Sequence, residues 1–133
     1  MTPTVVDASA IVAALIDDGP PGRWAEELLD GRPLAAPHLL PAEVTNIIRR
    51  ATLAGHISPD IATLAQHDLN LIAVELYPYE PFAARVWQLR TNVTAYDAWY
   101  VALAEHLAAP LATLDRQLAA TPGPACRFEL PPS

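Results

Sequence analysis

The chain has 133 residues, of which 52% are hydrophobic and 17% are charged, so we expect one globular domain over residues 1–133. Its net charge is −7 and all eight basic residues are arginines, which excludes mechanisms that need a lysine Schiff base or a phosphate-binding lysine. The single cysteine excludes an internal disulfide and a thiolate zinc cluster.

No apolar run approaches the ~20 residues that a membrane-spanning helix needs. No basic residue precedes Arg23, as one would in a signal peptide. We therefore expect a cytoplasmic protein with no membrane partner. The excess of acids also disfavours non-specific binding of nucleic acids, because phosphate contacts depend on clustered positive charge.

Short apolar segments alternate with segments of helical periodicity along the whole chain. In chain order, the predicted elements are strand Thr4–Val6, helix Ala8–Asp17 with Ser9 as its N-cap, helix Arg23–Leu29, strand Leu34–Ala36, helix Leu39–Ala54, helix Pro59–Asn70, strand Leu71–Leu76, helix Pro78–Arg90, helix Asn92–Leu107, strand Leu111–Leu114 and strand Arg127–Leu130. This alternation predicts an α/β fold with a mostly parallel sheet and helices on both sides.

Four acids occupy unusual positions in this pattern. Asp7 and Asp115 follow predicted strands, so both should lie at the C-terminal edge of the sheet. Glu43 and Asp97 lie on the apolar rows of predicted helices. A carboxylate that points toward a core is costly unless it is paired or bound to a metal. If the four converge, their mutual repulsion requires a cation.

Oxygen-only ligation suits Mg²⁺ or Mn²⁺, which can activate water and stabilise a leaving oxygen in phosphodiester hydrolysis. Taken singly, each acid also has a structural interpretation. Asp7 and Asp115 can begin helices, Glu43 can interact with a helix dipole, and Asp97 can belong to a capping box. The occurrence of all four acids in one chain favours a functional site over four separate structural roles.

These acids lie in segments that resemble the PIN-domain ribonucleases, specifically the VapC-type toxins of bacterial toxin–antitoxin pairs. The segments are Val5–Ser9, Glu43–Arg50, Thr94–Glu105 and Thr113–Arg116, and their order and spacing extend through nearly the whole chain. The resemblance implies a three-layer α/β/α fold around a mostly parallel sheet of four to five strands. It also implies metal-dependent endonucleolytic cleavage of RNA.

The resemblance further implies roles for individual residues. The acidic quartet of the family falls on Asp7, Glu43, Asp97 and Asp115, with Asp7 and Asp97 as the principal ligands of Mg²⁺ or Mn²⁺. The polar positions that would hydrogen-bond these acids are Ser9, Asn46, Thr94 and Thr113. Ala8 stands where many relatives have serine, which weakens the polar support at Asp7 but removes no ligand.

The expected function is that of a Mg²⁺-dependent endoribonuclease toxin that cleaves structured RNA, either tRNA or rRNA. We expect a cognate VapB-like antitoxin to inhibit it, and a homodimer in which the arginines of two subunits line one RNA path. The candidate RNA-binding arginines are Arg49, Arg50, Arg85, Arg90 and Arg116, although solvated helix faces would hold such arginines as well.

Two other interpretations remain open. Phosphatases and receiver domains that form an aspartyl-phosphate also place an acid after the first strand. Such phosphatases have a second aspartate where this chain has Ser9, and both classes use a lysine. The second of these interpretations is a catalytically weak or inactive PIN-fold binding module.

Overall fold

A five-stranded parallel sheet forms the centre of the computed structural model, which describes residues 1–133. The strands are β1 (Thr4–Val6), β2 (Leu34–Pro37), β3 (Glu75–Tyr77), β4 (Leu111–Ala112) and β5 (Phe128–Glu129). Their order across the sheet is β3-β2-β1-β4-β5, and all four pairings are parallel. The predicted α/β class and the parallel sheet are therefore confirmed.

Seven helices connect these strands. They are α1 (Ala8–Ile16), α2 (Pro20–Gly31), α3 (Leu40–Leu53), α4 (Pro59–Leu69), α5 (Ala83–Gln88), α6 (Ala95–Leu107) and α7 (Arg116–Ala120). α1 packs against α2, α3 and α4, whereas α6 packs against α5 and against β1 and β2. None of the helices combines the length and the apolar character that crossing a membrane requires.

The central strand β1 is completely buried. Thr4, Val5 and Val6 are each 0% exposed, because β1 has a paired neighbour on both edges and packed helices over its faces. This burial is the reason why three successive β-branched residues are favourable there. A fixed β1 in turn fixes the backbone of the next residue, Asp7, whose N–H donates to Ala112 O at 3.2 Å.

Several predicted boundaries differ from the structure. The second helix begins at Pro20 rather than Arg23, since prolines are well tolerated in a first helical turn, whose N–H groups have no helical partner. The strand predicted at Leu71–Leu76 is confined to Glu75–Tyr77, the part that pairs with β2. Leu71 is instead 71% exposed in a turn, so its apolar character does not reflect a strand.

The other differences are smaller. The helix predicted at Pro78–Arg90 is divided into a 3-10 turn at Glu80–Phe82 and the helix α5. The reason is that Pro81, in the 3-10 turn, lacks the N–H that a continuous α-helix needs. β4 ends at Ala112, and the chain then turns away through residues 113–115. Because β1 and β4 are parallel neighbours, the segments that follow them meet at the same edge of the sheet.

Candidate active site

The structure brings all four predicted acids to one pocket at the C-terminal edge of the sheet. The pocket has a volume of about 170 Å³. Its lining consists of Asp7, Ala8, Ser9, Glu43, Ile47, Asp97, Tyr100 and Asp115. Two of the acids follow strands and two come from the first turns of helices, so four separate parts of the chain meet there.

Asp7 is the most deeply held of the four acids. It is the N-cap of α1, and its Oδ1 accepts hydrogen bonds from Ala10 N at 3.1 Å and from Ser9 Oγ at 2.6 Å. Its Oδ2 accepts a hydrogen bond from Thr113 Oγ1. The prediction that Ser9 caps the helix is wrong, because the helix begins at Ala8 and the carboxylate before it reaches the free N–H of Ala10.

Burial raises the pKa of Asp7, and the hydrogen bonds from Ser9 and Thr113 oppose this rise. A carboxylate offers about four lone-pair positions, and three of them are filled by the protein. Asp7 is thus oriented rigidly and keeps about one position for a further ligand. Asp7 can therefore cap α1 and still bind a ligand in the pocket.

Ser9 and Thr113 join the ends of the two central strands. Ser9 Oγ accepts a hydrogen bond from Leu114 N at 3.0 Å while it donates to Asp7. Thr113 Oγ1 accepts one from Asp115 N at 3.0 Å while it also donates to Asp7. Each hydroxyl thus supports the Asp7 carboxylate and a backbone amide, that of Leu114 for Ser9 and that of Asp115 for Thr113, as expected of residues that orient acidic groups.

Thr113→Val is expected to lower the free energy of unfolding by about 1–3 kcal/mol. The side chain is 0% exposed, so removal of its hydroxyl would leave both the Asp7 carboxylate and the Asp115 amide short of a hydrogen-bond partner. Urea denaturation would measure the change. Thr63→Val, on the exposed face of α4, is the matched control, and equal losses in the two variants would contradict the expectation.

Glu43 lies in the first turn of α3, and its carboxylate meets a tyrosine of another helix. Tyr100 Oη donates a hydrogen bond to Glu43 Oε1 at 2.6 Å. Burial and the nearby charge of Asp7 raise the pKa of Glu43, and the hydrogen bond from Tyr100 opposes this rise. Burial and the Glu43 carboxylate also raise the pKa of Tyr100, so the phenol stays protonated and remains a donor.

Asp97 lies in the first turn of α6, whose N-cap is Thr94. The Thr94 hydroxyl accepts a hydrogen bond from Asp97 N at 3.2 Å and fixes the backbone at this position. Burial raises the pKa of the Asp97 carboxyl, and the charges of the other three acids raise it further. Asp97 is therefore the residue at which the repulsion within the pocket is most evident.

Asp115 is the N-cap of α7, where its Oδ1 accepts a hydrogen bond from Leu118 N at 3.0 Å. The short helix that the sequence allowed for this residue is therefore present. The cap leaves Oδ2 without a hydrogen bond from the protein. Asp115 thus combines a structural contact with a position on the wall of the pocket.

No basic side chain neutralises this pocket. The ion pairs of the chain are Arg32–Glu129, His67–Asp68 and Arg85–Glu105, and none includes an acid of the quartet. No three histidine, cysteine, aspartate or glutamate side chains stand close enough together to hold an ion by themselves. Because Mg²⁺ usually takes one or two carboxylates and keeps several waters, the donor set of the pocket still fits such an ion.

One of the predicted supporting residues hydrogen-bonds none of the four acids. This residue is Asn46, which is exposed on α3, because its position on the helix faces away from the core. Thr94 accepts a hydrogen bond from the backbone of Asp97, and a hydrogen bond from its side chain also lowers the pKa of the Asp97 carboxyl. Ser9 and Thr113 contact the Asp7 carboxylate directly.

The candidate RNA-binding arginines lie outside the pocket. Arg85 pairs with Glu105 at 2.7 Å, Arg90 stacks 4.3 Å over the Trp87 ring, and Arg116 donates to Pro131 O. Arg49 and Arg50 are exposed on α3 and form no ion pair. These two are therefore the most available of the set, and an RNA contact by any of the five stays a prediction.

Sequence reasoning missed Tyr100, which lines the pocket and holds Glu43. The available signal was its position three residues after Asp97, which places both on one side of a helix. That spacing does not distinguish a core tyrosine from a residue of the site. The contact with Glu43 spans 57 positions and depends on how α3 and α6 lie in the fold.

Comparison with known sequences identifies the family. The PIN domain family model matches residues 4–124. Ribonuclease VapC1 of Mycobacterium tuberculosis is 45% identical over 131 residues, which cover 98% of each chain. Ribonuclease VapC3 of Pyrobaculum aerophilum is 34% identical over 119 residues, which cover 86% of this chain and 91% of the relative.

Solved structures have the same fold. VapC20 of Mycobacterium tuberculosis, described as a sarcin-ricin loop cleaving toxin, matches with a TM-score of 0.70 at 15% identity and covers 97% of this chain and 99% of its own. VapBC-5 of the same organism, a member of the VapBC family of toxin–antitoxin systems, matches with a TM-score of 0.58 at 25% identity. That match covers 100% of both chains.

Proposed function

The chain belongs to the PIN-domain family of VapC ribonucleases, and on that premise we propose that it is a metal-dependent endoribonuclease toxin of a toxin–antitoxin pair. The observation that carries the proposal is the convergence of four carboxylates in one pocket with no basic side chain to neutralise them. A pocket of this charge favours a divalent cation, and a cation is what an anionic RNA backbone needs in order to approach.

Asp7 and Asp97 are the residues that would hold the ion, Mg²⁺ or Mn²⁺. When bound, the ion supplies charge neutralisation and lowers the pKa of water for attack on a phosphodiester. The hydrogen bonds from Ser9 and Thr113 keep the Asp7 carboxylate oriented and favour its charged form.

Glu43 and Asp115 would complete the reaction. Each has a carboxylate oxygen, Oε2 or Oδ2, that accepts no hydrogen bond from the protein, and either could orient the attacking water or take its proton. The water oxygen would bond to phosphorus as the bond between phosphorus and the ribose 3′-oxygen breaks, and the 3′-oxygen would take a proton from solvent water. The expected products carry a 5′-phosphate and a 3′-hydroxyl, and the expected substrate is structured RNA, either tRNA or rRNA.

The proposed partner is a small VapB-like antitoxin. The chain places no arginine in the acidic pocket, so an inhibitor that inserts a basic side chain there would satisfy the carboxylates and displace the metal. The similarity to a member of the VapBC family of toxin–antitoxin systems supports this pairing. A homodimer would bring the exposed Arg49 and Arg50 of two subunits toward one RNA path.

The test is incubation of the purified chain with total RNA in the presence of Mg²⁺ or Mn²⁺, followed by mapping of the new 5′ ends. We expect discrete cuts with 5′-phosphates, and loss of cleavage when the metal is chelated. Failure to cleave any RNA with either ion would contradict the proposal. Binding of RNA or antitoxin without cleavage would favour an inactive binding module instead.

A further inference from the structure

Tyr100 is a core residue whose polar end reaches the acidic pocket. The side chain is 2% exposed, and its ring packs within the hydrophobic core. Its hydroxyl is 2.6 Å from Glu43 Oε1, and Tyr100 is one of the residues that line the acidic pocket. A buried phenol needs a hydrogen-bond acceptor, and here that acceptor is one of the four acids rather than a backbone carbonyl.

The Glu43 carboxylate has no other protein partner. Asp7 receives three hydrogen bonds and Asp115 caps a helix, but Glu43 accepts only the one from Tyr100 and forms no ion pair. Its side chain has three rotatable bonds, so without the phenol it would sample several rotamers. The hydrogen bond from Tyr100 therefore fixes the position of the Glu43 carboxylate.

We propose that Tyr100 is a positioning residue of the cleavage reaction, which holds Glu43 by Oε1 and leaves Oε2 for the attacking water. The inference rests on the proposed function and adds the residue that gives Glu43 its geometry. Tyr100 itself takes no part in the bond changes. A carboxylate that is held in place contributes more to a transition state than one that must be ordered during the reaction.

The experiment compares Tyr100→Phe with the wild-type protein on a cleaved RNA oligonucleotide at saturating Mg²⁺. Phenylalanine keeps the ring in the core and removes only the hydroxyl. We expect kcat to fall about 10–100-fold while KM stays within about twofold, because the loss concerns the reaction step and not RNA binding. Tyr77→Phe is the matched control, since its phenol lies outside the pocket, and it should keep the wild-type kcat.

A double-mutant cycle separates positioning from a purely structural role. If Tyr100 acts through Glu43, Tyr100→Phe should add nothing to the loss caused by Glu43→Gln. A further decrease in kcat in the double variant would overturn the inference. Wild-type kcat in Tyr100→Phe would overturn it as well.

Glu43→Asp provides a second route, which does not depend on the folding of Tyr100→Phe. It keeps the charge and the phenol but withdraws the carboxylate by one methylene, so kcat should fall at unchanged KM. Wild-type kcat in this variant would contradict the inference. If the wild-type protein cleaves no RNA, the proposed function fails and the inference fails with it. If the wild-type protein cleaves RNA and these variants cleave it with the wild-type kcat, only the inference fails.

Discussion

Asp97→Asn is expected to lower the rate of RNA cleavage by at least ~10³-fold and to raise the stability of the metal-free protein. Asparagine has nearly the same shape but removes a charge from a pocket in which Asp97 is repelled by three other acids. Because Asp97 is only half-buried, the expected gain in the free energy of unfolding is about 0.5–1 kcal/mol. Activity and stability should therefore change in opposite directions.

Single-turnover cleavage and urea denaturation in the presence of a chelator would measure the two effects. Asp30→Asn, at an exposed position on α2, makes the same chemical change outside the pocket and should alter neither quantity. Cleavage at the wild-type rate by Asp97→Asn would remove this residue from the site. A loss of stability in the variant would show that repulsion does not dominate at this position.

Mg²⁺ at 100 times its dissociation constant is expected to raise the free energy of unfolding by about 2.7 kcal/mol at neutral pH, and removal of the metal should abolish cleavage. The physical reason is that the ion binds the ionised acids of the folded protein and relieves their repulsion. Thermal unfolding over a Mg²⁺ titration would measure the effect. An unfolding temperature that is independent of Mg²⁺ and Mn²⁺ would contradict the proposed metal site.

Burial of the carboxyl groups, together with the charges of neighbouring acids at Glu43 and Asp97, contributes to the pH dependence of the metal-free protein. The folded pKa values of Asp7, Glu43 and Asp97 are raised above their ordinary values of 3.8, 4.5 and 3.8. Each group therefore binds more protons in the folded state, and its stabilising contribution is complete below the ordinary value and lost as pH rises through the raised one.

The comparison of wild-type protein with Asp97→Asn isolates this contribution from other titrations. Without metal, the stability advantage of the variant should be largest near pH 7 and should vanish below about pH 3, where Asp97 is protonated in both states. With Mg²⁺, the order should reverse at neutral pH. Unfolding free energies measured from about pH 3 to pH 7 would check this, and a difference that does not vary with pH would contradict it.

Much of the fold could be predicted because its determinants are local. The run of β-branched residues at Thr4–Val6 predicted a buried strand, and the capping box predicted at Thr94 and Asp97 begins α6, with Thr94 as the N-cap. The error at Leu71–Leu76 has a physical reason. An edge strand extends only as far as its neighbour pairs with it, and an apolar run of that length does not reveal where the pairing ends.

For the candidate site, short-range patterns along the chain suffice to place two acids at strand ends and two in first helical turns. The hydrogen bonds that hold Asp7 through Thr113, 106 positions away, and Glu43 through Tyr100, 57 positions away, appear only when the helices have packed on the sheet. The same packing leaves Asn46 exposed and pairs Arg85 with Glu105. The reason is that hydrogen bonds between distant segments depend on how the helices pack on the sheet, and no local periodicity records that packing.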